Sequence, residues 1–268
     1  MIEGTPLTLR CQEQTICVTH GPNDSFWQLV SDGAWEPDTF AVFRRFIDRE
    51  HSYVDIGSWV GPTLLYGSKL AKHAYGVEPD PIAFKELKQN LALNAGLSEN
   101  VNIFNLCIAE ASGEVRFGNR AEGGDSTSSL LFSSGKTTWT VKATSFCEFV
   151  NQNRIHDCNF IKMDIEGGEF RVLPSMISYL REHRPTFFLS LHPCFIYPTV
   201  FEDLRNPSIV RRAIRVAISF WATVKILRLL RFYRFRYDSA GRSLSLYRMI
   251  RICRGTLSIV VTDTEWAH

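Results

Sequence analysis

The sequence predicts an α/β fold in which a largely parallel sheet is covered by helices on both faces. From Tyr53 onwards, short apolar runs alternate with amphipathic stretches. Strands and helices in this order form parallel pairs, because each helix returns the chain to the start of the next strand. Two of the predicted helices begin with a proline, Pro62 or Pro81, at a position where its missing N–H costs no hydrogen bond.

The predicted elements divide the chain into a lead-in and a main domain. Residues 1–50 read as short strands followed by a helix over 38–49, and residues 51–268 as the main domain. Gly96 is placed to end the second main-domain helix in the left-handed conformation, and the Gly- and Ser-rich residues 119–136 form a mobile loop. The predicted strands are YVDIG, AYGVEP, VNIFNLCIA, EVRFG, TTWTVKATS, NFIKMD, TFFLSLH and TLSIVVTD, and the predicted helices cover 62–72, 81–95, 145–153 and the stretch from 169 to about 181.

Composition excludes several classes of protein. With 45% apolar residues in 268 the chain can bury a core, and its seven scattered cysteines lack both disulfide-framework and zinc-ligand spacing. Reduced thiols are typical of the cytoplasm, and the first ten residues lack the features of a signal peptide. The longest apolar run, residues 209–230, contains five Lys or Arg and therefore does not predict a membrane-spanning helix.

A glycine loop follows the first strand of the main domain. It reads Asp55-Ile-Gly57-Ser-Trp-Val-Gly61, and it lacks the G-x-G-x-x-G spacing of a dinucleotide site because residues 59 and 62 are Trp and Pro. Glycines and the N–H groups at a helix start can approach a ligand closely, while Asp55 suits an amino group better than a pyrophosphate. Glu78, which ends the next strand, could accept hydrogen bonds from two ribose hydroxyls.

Four strings of the sequence together resemble one family. YVDIGSWVG, GVEPDPIAFKELKQNLALN, FIKMDIEGGEFRVL and FLSLHP, in this order and spacing, resemble the FkbM family of S-adenosylmethionine-dependent methyltransferases. The resemblance implies a Rossmann-like, seven-stranded sheet with its last strand antiparallel, and O-methyl transfer to a hydroxyl of a small molecule or glycan. This chain has Ser58-Trp59 where the family commonly has Ala-Asn. The cofactor-binding residues that the motif and the resemblance predict are Asp55, Gly57, Ser58, Gly61, Glu78 and Pro79.

The acid-rich stretch KMDIEGGE, residues 162–169, predicts the catalytic side of the site. Asp164 and Glu166 follow one strand and His192 follows the next, so these side chains should border one crevice. A His with a pKa of about 6.5 could take the proton of a hydroxyl, and a carboxylate could orient it or share a divalent cation, with Asp164 and His192 as candidate ligands. Glu169 suits the first turn of a helix.

Each of these residues also has a structural interpretation. Asp164 and Glu166 could cap the following helix, and His192 could be a hydrogen-bonded core residue. Lys162 lies beneath the acids and could only neutralise them. A nucleophilic role for Cys194 in pyrimidine methylation is disfavoured, because no second motif cysteine accompanies it.

A basic segment, residues 205–254, contains thirteen Lys or Arg and one acid, a net charge of +12 in a chain whose total is +2. Its apolar residues have helical spacing, which predicts a further sheet-covering helix. Its arginines and aromatic residues also suit an anionic or lipid-linked acceptor or an anionic membrane surface, so we expect a cytoplasmic protein that can associate with a membrane. The predicted apolar stripe is Ile209, Ala213, Val216, Ala217, Phe220, Val224, Leu227 and Leu230.

Two other functions stay open at this point. Methylation of a nucleic acid would use the basic segment, but the Asn/Asp-Pro-Pro-aromatic string that adenine amino methylation uses is absent after the fourth core strand, so a nucleic-acid partner is not favoured. A non-catalytic binding protein on the same scaffold is the other alternative. The acceptor and the oligomeric state cannot be read from the sequence, because acceptor pockets are built by variable loops.

Overall fold

A computed structural model of the chain describes residues 5–97, 99–119, 137–193, 209–245 and 256–266. Its centre is a seven-stranded sheet with the order β11-β12-β10-β9-β3-β4-β5. The neighbours from β10 to β5 are parallel, whereas β12 is antiparallel to both β10 and β11. This confirms the predicted α/β fold with an antiparallel last strand. The seven strands are β3 (Ser52–Ile56), β4 (His73–Val77), β5 (Val101–Phe104), β9 (Cys158–Met163), β10 (Thr186–Leu191), β11 (Phe235–Asp238) and β12 (Leu257–Thr262).

Hydrophobic side chains on both faces of the sheet build two core layers. Neighbouring residues alternate between the layers, as Tyr53 and Val54 do on β3, since successive side chains of a strand point to opposite faces. Helices α1 (Asp24–Ser31), α2 (Pro37–Phe46), α3 (Pro62–Ser68) and α4 (Pro81–Ala92) pack on one face. The other face carries α5 (Phe146–Gln152), α6 (Glu169–His183) and α7 (Ile209–Leu229).

The N-terminal residues form a hairpin and two helices that share this core. Strands β1 (Leu7–Cys11) and β2 (Gln14–Val18) pair antiparallel. Trp27 of α1 and Phe40 of α2 are fully buried in the same cluster as Leu64 of α3. The division of the chain at residue 51 stays a prediction.

Two helices of the main domain are shorter than predicted. α3 ends at Ser68 and α4 at Ala92, and Gly96 lies in a 3-10 turn rather than in the predicted left-handed cap. The start of α4 follows the predicted proline rule, and the Asp80 carboxylate before it accepts hydrogen bonds from the N–H groups of Ile82 and Ala83.

The predicted third strand is split in two. β5 joins the main sheet, while β6 (Cys107–Ala109) pairs with β8 (Thr137–Ser145), which also pairs with β7 (Gly113–Asn119) in a separate three-stranded sheet. The predicted mobile loop, apart from Asn119 at the end of β7, lies outside the described residues.

The basic segment contains both the predicted helix and an edge strand that the sequence analysis missed. On α7 the predicted stripe is partly wrong: Leu227 and Leu230 are buried, but Ala217 is exposed, and Ser219 and Thr223 are buried instead. The two hydroxyls can be buried because each donates a hydrogen bond to a backbone carbonyl. β11 then completes the sheet within the segment.

Candidate active site

A cavity lies at the carboxyl ends of β3, β4 and β9, where an open α/β sheet binds its ligands. Of the predicted cofactor residues, Gly57, Ser58, Glu78 and Pro79 line it. The charged residues among the described lining are four acids, Glu36, Glu78, Asp164 and Glu166, and one lysine, Lys162. The full lining comprises Phe26, Trp35, Glu36, Ile56, Gly57, Ser58, Trp59, Pro62, Thr63, Val77, Glu78, Pro79, Cys107, Ile108, Lys162, Asp164, Ile165 and Glu166.

The glycine loop is anchored to the neighbouring strand. The N–H groups of Gly57 and Ser58 both donate to the Val77 carbonyl, at 2.9 and 3.1 Å. Gly57 is required by the fold itself: its φ is +85°, and a Cβ there would lie 1.9 Å from the Asp164 carbonyl oxygen. Gly61 is held against Leu87 in the same way. The N–H groups of Gly57 and Ser58 are therefore used within the fold rather than offered to a pyrophosphate.

Asp55 is fully buried and has three partners within the protein. Its carboxylate accepts hydrogen bonds from Tyr53 Oη at 2.6 Å, Thr63 Oγ1 at 2.7 Å and Lys162 Nζ at 3.1 Å. Burial acts to lower the pKa of Lys162, but Asp55 and Asp164 outweigh it and raise this pKa above its ordinary value. Asp55 thus reaches the cavity through Thr63 and Lys162, which line it.

Glu78 faces the cavity from the end of β4. One carboxylate oxygen accepts the N–H of Trp59 at 2.8 Å, and the other accepts the N–H of Asp80 at 2.7 Å. Burial raises the pKa of Glu78 to about 7, although these two hydrogen bonds oppose the rise. Each oxygen keeps a lone pair, so the carboxylate can still accept hydrogen bonds from a ligand.

Trp59 occupies an uncommon backbone conformation for a large residue, with φ +46°. Its ring packs edge-on against Phe26, with the ring centroids 4.5 Å apart, and its N–H is held by Glu78. Asn, which the family resemblance implies at this position, adopts left-handed φ more readily than Trp does. Trp59 therefore replaces a residue suited to the turn with one that adds an aromatic wall to the cavity.

Three predicted catalytic residues come together at the ends of β9 and β10. The His192 Nε2 atom lies 3.6 Å from Asp164 Oδ1 and 3.6 Å from Glu166 Oε2. One ligand-type atom from each residue lies within 4.8 Å of the other two. Glu166 has φ +53°, a conformation that is held by the turn into α6. Asp164 and Glu166 line the cavity, and His192 lies behind them as a neighbour of both carboxylates.

Glu169, which the sequence analysis assigned to the start of a helix, also holds the histidine. It is the first residue of α6 and fully buried, and its Oε1 atom lies 3.1 Å from His192 Nδ1. The same oxygen accepts the N–H of Ile165 at 3.0 Å. The two contacts fix both the imidazole and the loop between β9 and α6. The sequence signal that could have found this role is an acid directly after Gly167-Gly168, at a turn toward the sheet.

The charge environment corrects the expected state of His192. Burial acts to lower its pKa, but the hydrogen bond with Glu169 and the charges of Asp164 and Glu166 raise it to about 9. The assumption of an ordinary pKa near 6.5 was therefore wrong. Burial and the neighbouring Asp164 and Glu169 likewise raise the pKa of Glu166 to about 8, against the influence of His192. Cys194, named above as a disfavoured nucleophile, lies outside the described residues.

Comparison with protein-family models decides the family. The Methyltransferase FkbM domain matches residues 55–237, which is well over half of the chain. The chain belongs to the FkbM methyltransferase family. The match includes the glycine loop, Glu78 and the cluster of Asp164, Glu166 and His192, and it ends within β11. Comparison of this FkbM methyltransferase with curated proteins found no match.

The solved structures that resemble this fold have low sequence identity to this chain. Methyltransferase FkbM from Methylobacillus flagellatus KT is 15% identical with a TM-score of 0.46, and the alignment covers 89% of this chain and 55% of that one. An rRNA methylase from Streptococcus thermophilus is 9% identical, with a TM-score of 0.42 and coverage of 84% and 95%. A tRNA m1G37 methyltransferase from M. jannaschii is 11% identical, with a TM-score of 0.42 and coverage of 98% and 58%. Likenesses this distant carry no argument about substrate.

Proposed function

We propose that this FkbM methyltransferase transfers a methyl group from S-adenosylmethionine to a hydroxyl of a small molecule or glycan. The observation that supports it most is that Asp164 and Glu166 line the cavity at the carboxyl edge of the sheet, with His192 Nε2 3.6 Å from a carboxylate oxygen of each. When bound, S-adenosylmethionine supplies a methyl group on a positively charged sulfur. A hydroxyl that accepts this group must lose its proton, so the transfer needs a proton acceptor beside it.

The cavity wall suits the cofactor in charge and in shape. Four acids, Glu36, Glu78, Asp164 and Glu166, line the cavity, and those that are ionised attract a cation such as the sulfonium. We assign Glu78 to the ribose hydroxyls, because its carboxylate faces the cavity and retains acceptor capacity. Apolar side chains of Val77, Pro79, Cys107 and Ile108 beside it form a surface on which a purine ring can pack. Gly57, Ser58, Gly61 and Asp55 support this wall, and their direct contact with the cofactor stays a prediction.

Glu78→Ala tests the cofactor assignment. Loss of a carboxylate that holds two hydroxyls should weaken binding by about 1.5 to 3 kcal/mol, or roughly ten- to hundredfold. Calorimetric titration with S-adenosylmethionine measures the effect. The matched control is Glu86→Ala, which removes a half-buried acid that also has a raised pKa and that accepts a hydrogen bond from Asn23 outside the cavity lining. Unchanged affinity in a folded Glu78→Ala protein would remove Glu78 from the site.

On the acceptor side, we assign the proton to Asp164 rather than to His192 or Glu166, because the raised pKa values of both favour their protonated forms. The charged imidazole already holds a proton, whereas Asp164 Oδ1 is buried and has no hydrogen-bond partner among the described residues. An unpaired carboxylate oxygen is costly to bury unless a ligand donates to it. The acceptor hydroxyl is such a donor. His192 and Glu169 then hold the carboxylates in place by charge and hydrogen bonding.

The exposed face of α7 supports an acceptor at an anionic membrane surface. Trp221 is 61% exposed and Ile218 36%, and Lys225 and Arg228 are exposed further along the same face. An apolar patch beside basic residues suits the interface of an anionic bilayer. Ser219, on the buried face of α7, donates to the Pro193 carbonyl directly after His192, so the helix itself packs beside the site.

Other basic residues of the segment serve the fold. Arg242 pairs with Asp238, and Arg236 donates to the carbonyls of Arg231 and Tyr233. Among the described residues no helix is long and apolar enough to cross a membrane. We therefore propose peripheral association through α7, in a cytoplasm where the free thiols of the described cysteines would stay reduced.

Cosedimentation with vesicles tests this surface. Each basic residue near an anionic bilayer contributes about 1 kcal/mol, so Lys225→Ala with Arg228→Ala should weaken binding by roughly thirtyfold. Lys85 and Lys88 on α4 have the same spacing and are exposed, and their double replacement by Ala is the matched control. Binding should also weaken when the salt concentration rises from about 0.1 M to about 1 M, because the electrostatic screening length becomes shorter. Equal binding to neutral and anionic vesicles would contradict a membrane role. So would displacement of the protein from anionic vesicles by single-stranded RNA that carries the same total negative charge as the lipid.

A further inference from the structure

The cluster of Asp164, Glu166 and His192 has the composition of a cation site. Two carboxylates and one imidazole converge, with one potential ligand atom from each within 4.8 Å of the others. Carboxylates and imidazole together suit divalent cations such as Mn²⁺. The distances of 3.6 Å from His192 Nε2 to each carboxylate are longer than direct hydrogen bonds, so these groups face one another without closing the space between them.

The surroundings of the histidine match those of a metal ligand. A ligating His almost always uses its second ring nitrogen to bond a carboxylate or carbonyl, which fixes the ring. Here His192 Nδ1 is held by Glu169 Oε1 at 3.1 Å, and this leaves Nε2 directed at Asp164 and Glu166. Glu169 is completely buried, and the N–H of Ile165 holds the same oxygen.

Two buried carboxylate oxygens without a hydrogen-bond partner among the described residues are a second, independent observation. Asp164 Oδ1, which is the atom facing His192 Nε2, has no hydrogen-bond partner among the described residues, and neither does Glu169 Oε2. Glu169 is fully buried, and burial of a carboxylate oxygen without a partner costs free energy. Three carboxylates around one imidazole also repel one another, and a bound dication removes that repulsion.

We propose that Asp164, Glu166 and His192 bind a divalent cation, with Glu169 as the positioning residue that fixes His192. The cation takes the place of the proton on His192 Nε2, while Nδ1 keeps its proton and donates it to Glu169 Oε1. The proposal deepens the methyl transfer proposed above and rests on it for its chemical purpose: a cation beside the acceptor makes the hydroxyl more acidic, so a carboxylate can remove its proton more easily. Cation binding itself is a property of these four side chains. It can be measured without cofactor or acceptor.

The test is titration of the full chain with Mn²⁺ alone. Electron paramagnetic resonance measures the free Mn²⁺ signal, which decreases as the ion binds. We expect one saturable site in the parent protein, competed by Mg²⁺. Asp164→Asn and Glu166→Gln should each weaken it at least tenfold, and Glu169→Gln roughly ten- to hundredfold through the histidine. The matched control is Asp48→Asn, since Asp48 forms a carboxylate–histidine pair with His51 at 2.8 Å on the surface.

The outcomes separate the two proposals. Absence of a saturable site, or equal Mn²⁺ affinity in folded Asp164→Asn and parent proteins, would overturn the cation site. A parallel titration with S-adenosylmethionine then shows whether the methyltransferase proposal survives on its own. Thermal unfolding of each variant confirms that it is folded, and Asp164→Asn keeps the side-chain shape while removing one of the mutually repelling charges. Mn²⁺ binding that Asp48→Asn abolishes would place the cation at the surface and would also overturn the assignment.

Discussion

Asp164→Asn is expected to lower the rate of methyl transfer by roughly 10²- to 10⁴-fold, the usual cost of removing a group that accepts a proton in the reaction. The amide cannot take the proton of the acceptor hydroxyl, yet it fills the same space. Since Asp164 Oδ1 has no hydrogen-bond partner among the described residues, the replacement breaks none of the hydrogen bonds described for that atom. Affinity for S-adenosylmethionine should change far less, because Glu78 holds the ribose end of the site in this proposal.

The measurement is transfer of labelled methyl groups from S-adenosylmethionine to the small-molecule and lipid fractions of an extract from the source cells. Asp157→Asn is the matched control, because Asp157 precedes β9 while Asp164 follows it, so the two carboxylates lie at opposite ends of one strand. Equal rates for Asp164→Asn and the parent would reject the assignment. Label that enters only the RNA fraction would favour nucleic-acid methylation. Cofactor binding without any transfer would favour a binding protein on this scaffold.

The part of the fold that the sequence predicted correctly is the part where local pattern and burial agree. Strands β3, β4, β9 and β10 are short, largely buried and mainly apolar because helices cover both faces of the sheet, and such segments are easy to recognise. β11 was missed because its residues Phe235–Asp238 contain an arginine and an aspartate and follow a basic helix. It becomes a strand through pairing with β12, which is a contact distant in sequence.

The candidate site shows the same difference between features that follow from local pattern and features that follow from contacts distant in sequence. Strand ends predicted the meeting of Asp164, Glu166 and His192, since parallel strands bring their carboxyl ends to one edge. The position of Asp55 was harder to predict. Nothing local indicates that Lys162 pairs with it from the neighbouring strand, or that a Cβ at Gly57 would meet the Asp164 carbonyl. Register between β3 and β9 decides both contacts, and register is a property of the assembled sheet.

Lys162→Met is expected to destabilise the fold by about 3 to 5 kcal/mol, the usual cost of removing one partner of a buried ion pair. Asp55 and Lys162 are adjacent in register on β3 and β9, and their side chains are 0% and 6% exposed. Without the lysine, the Asp55 charge stays buried with only two neutral hydroxyl partners, Tyr53 and Thr63. Urea unfolding followed by circular dichroism measures the change in midpoint at constant slope.

Two further variants separate the ion pair from its geometry. Lys72→Met removes a lysine that pairs with Asp157 at 2.8 Å on the surface, and it should cost at most about 1 kcal/mol because solvent screens that pair. Asp55→Asn combined with Lys162→Met removes both buried charges and should recover much of the lost stability. A single Lys162→Met variant as stable as Lys72→Met would contradict this account.

Lys162 Nζ also donates a hydrogen bond to the Gly57 carbonyl at 3.0 Å. The double variant should therefore regain stability but should still bind the cofactor more weakly than the parent protein does. That separation would show that the lysine both balances Asp55 and positions the glycine loop.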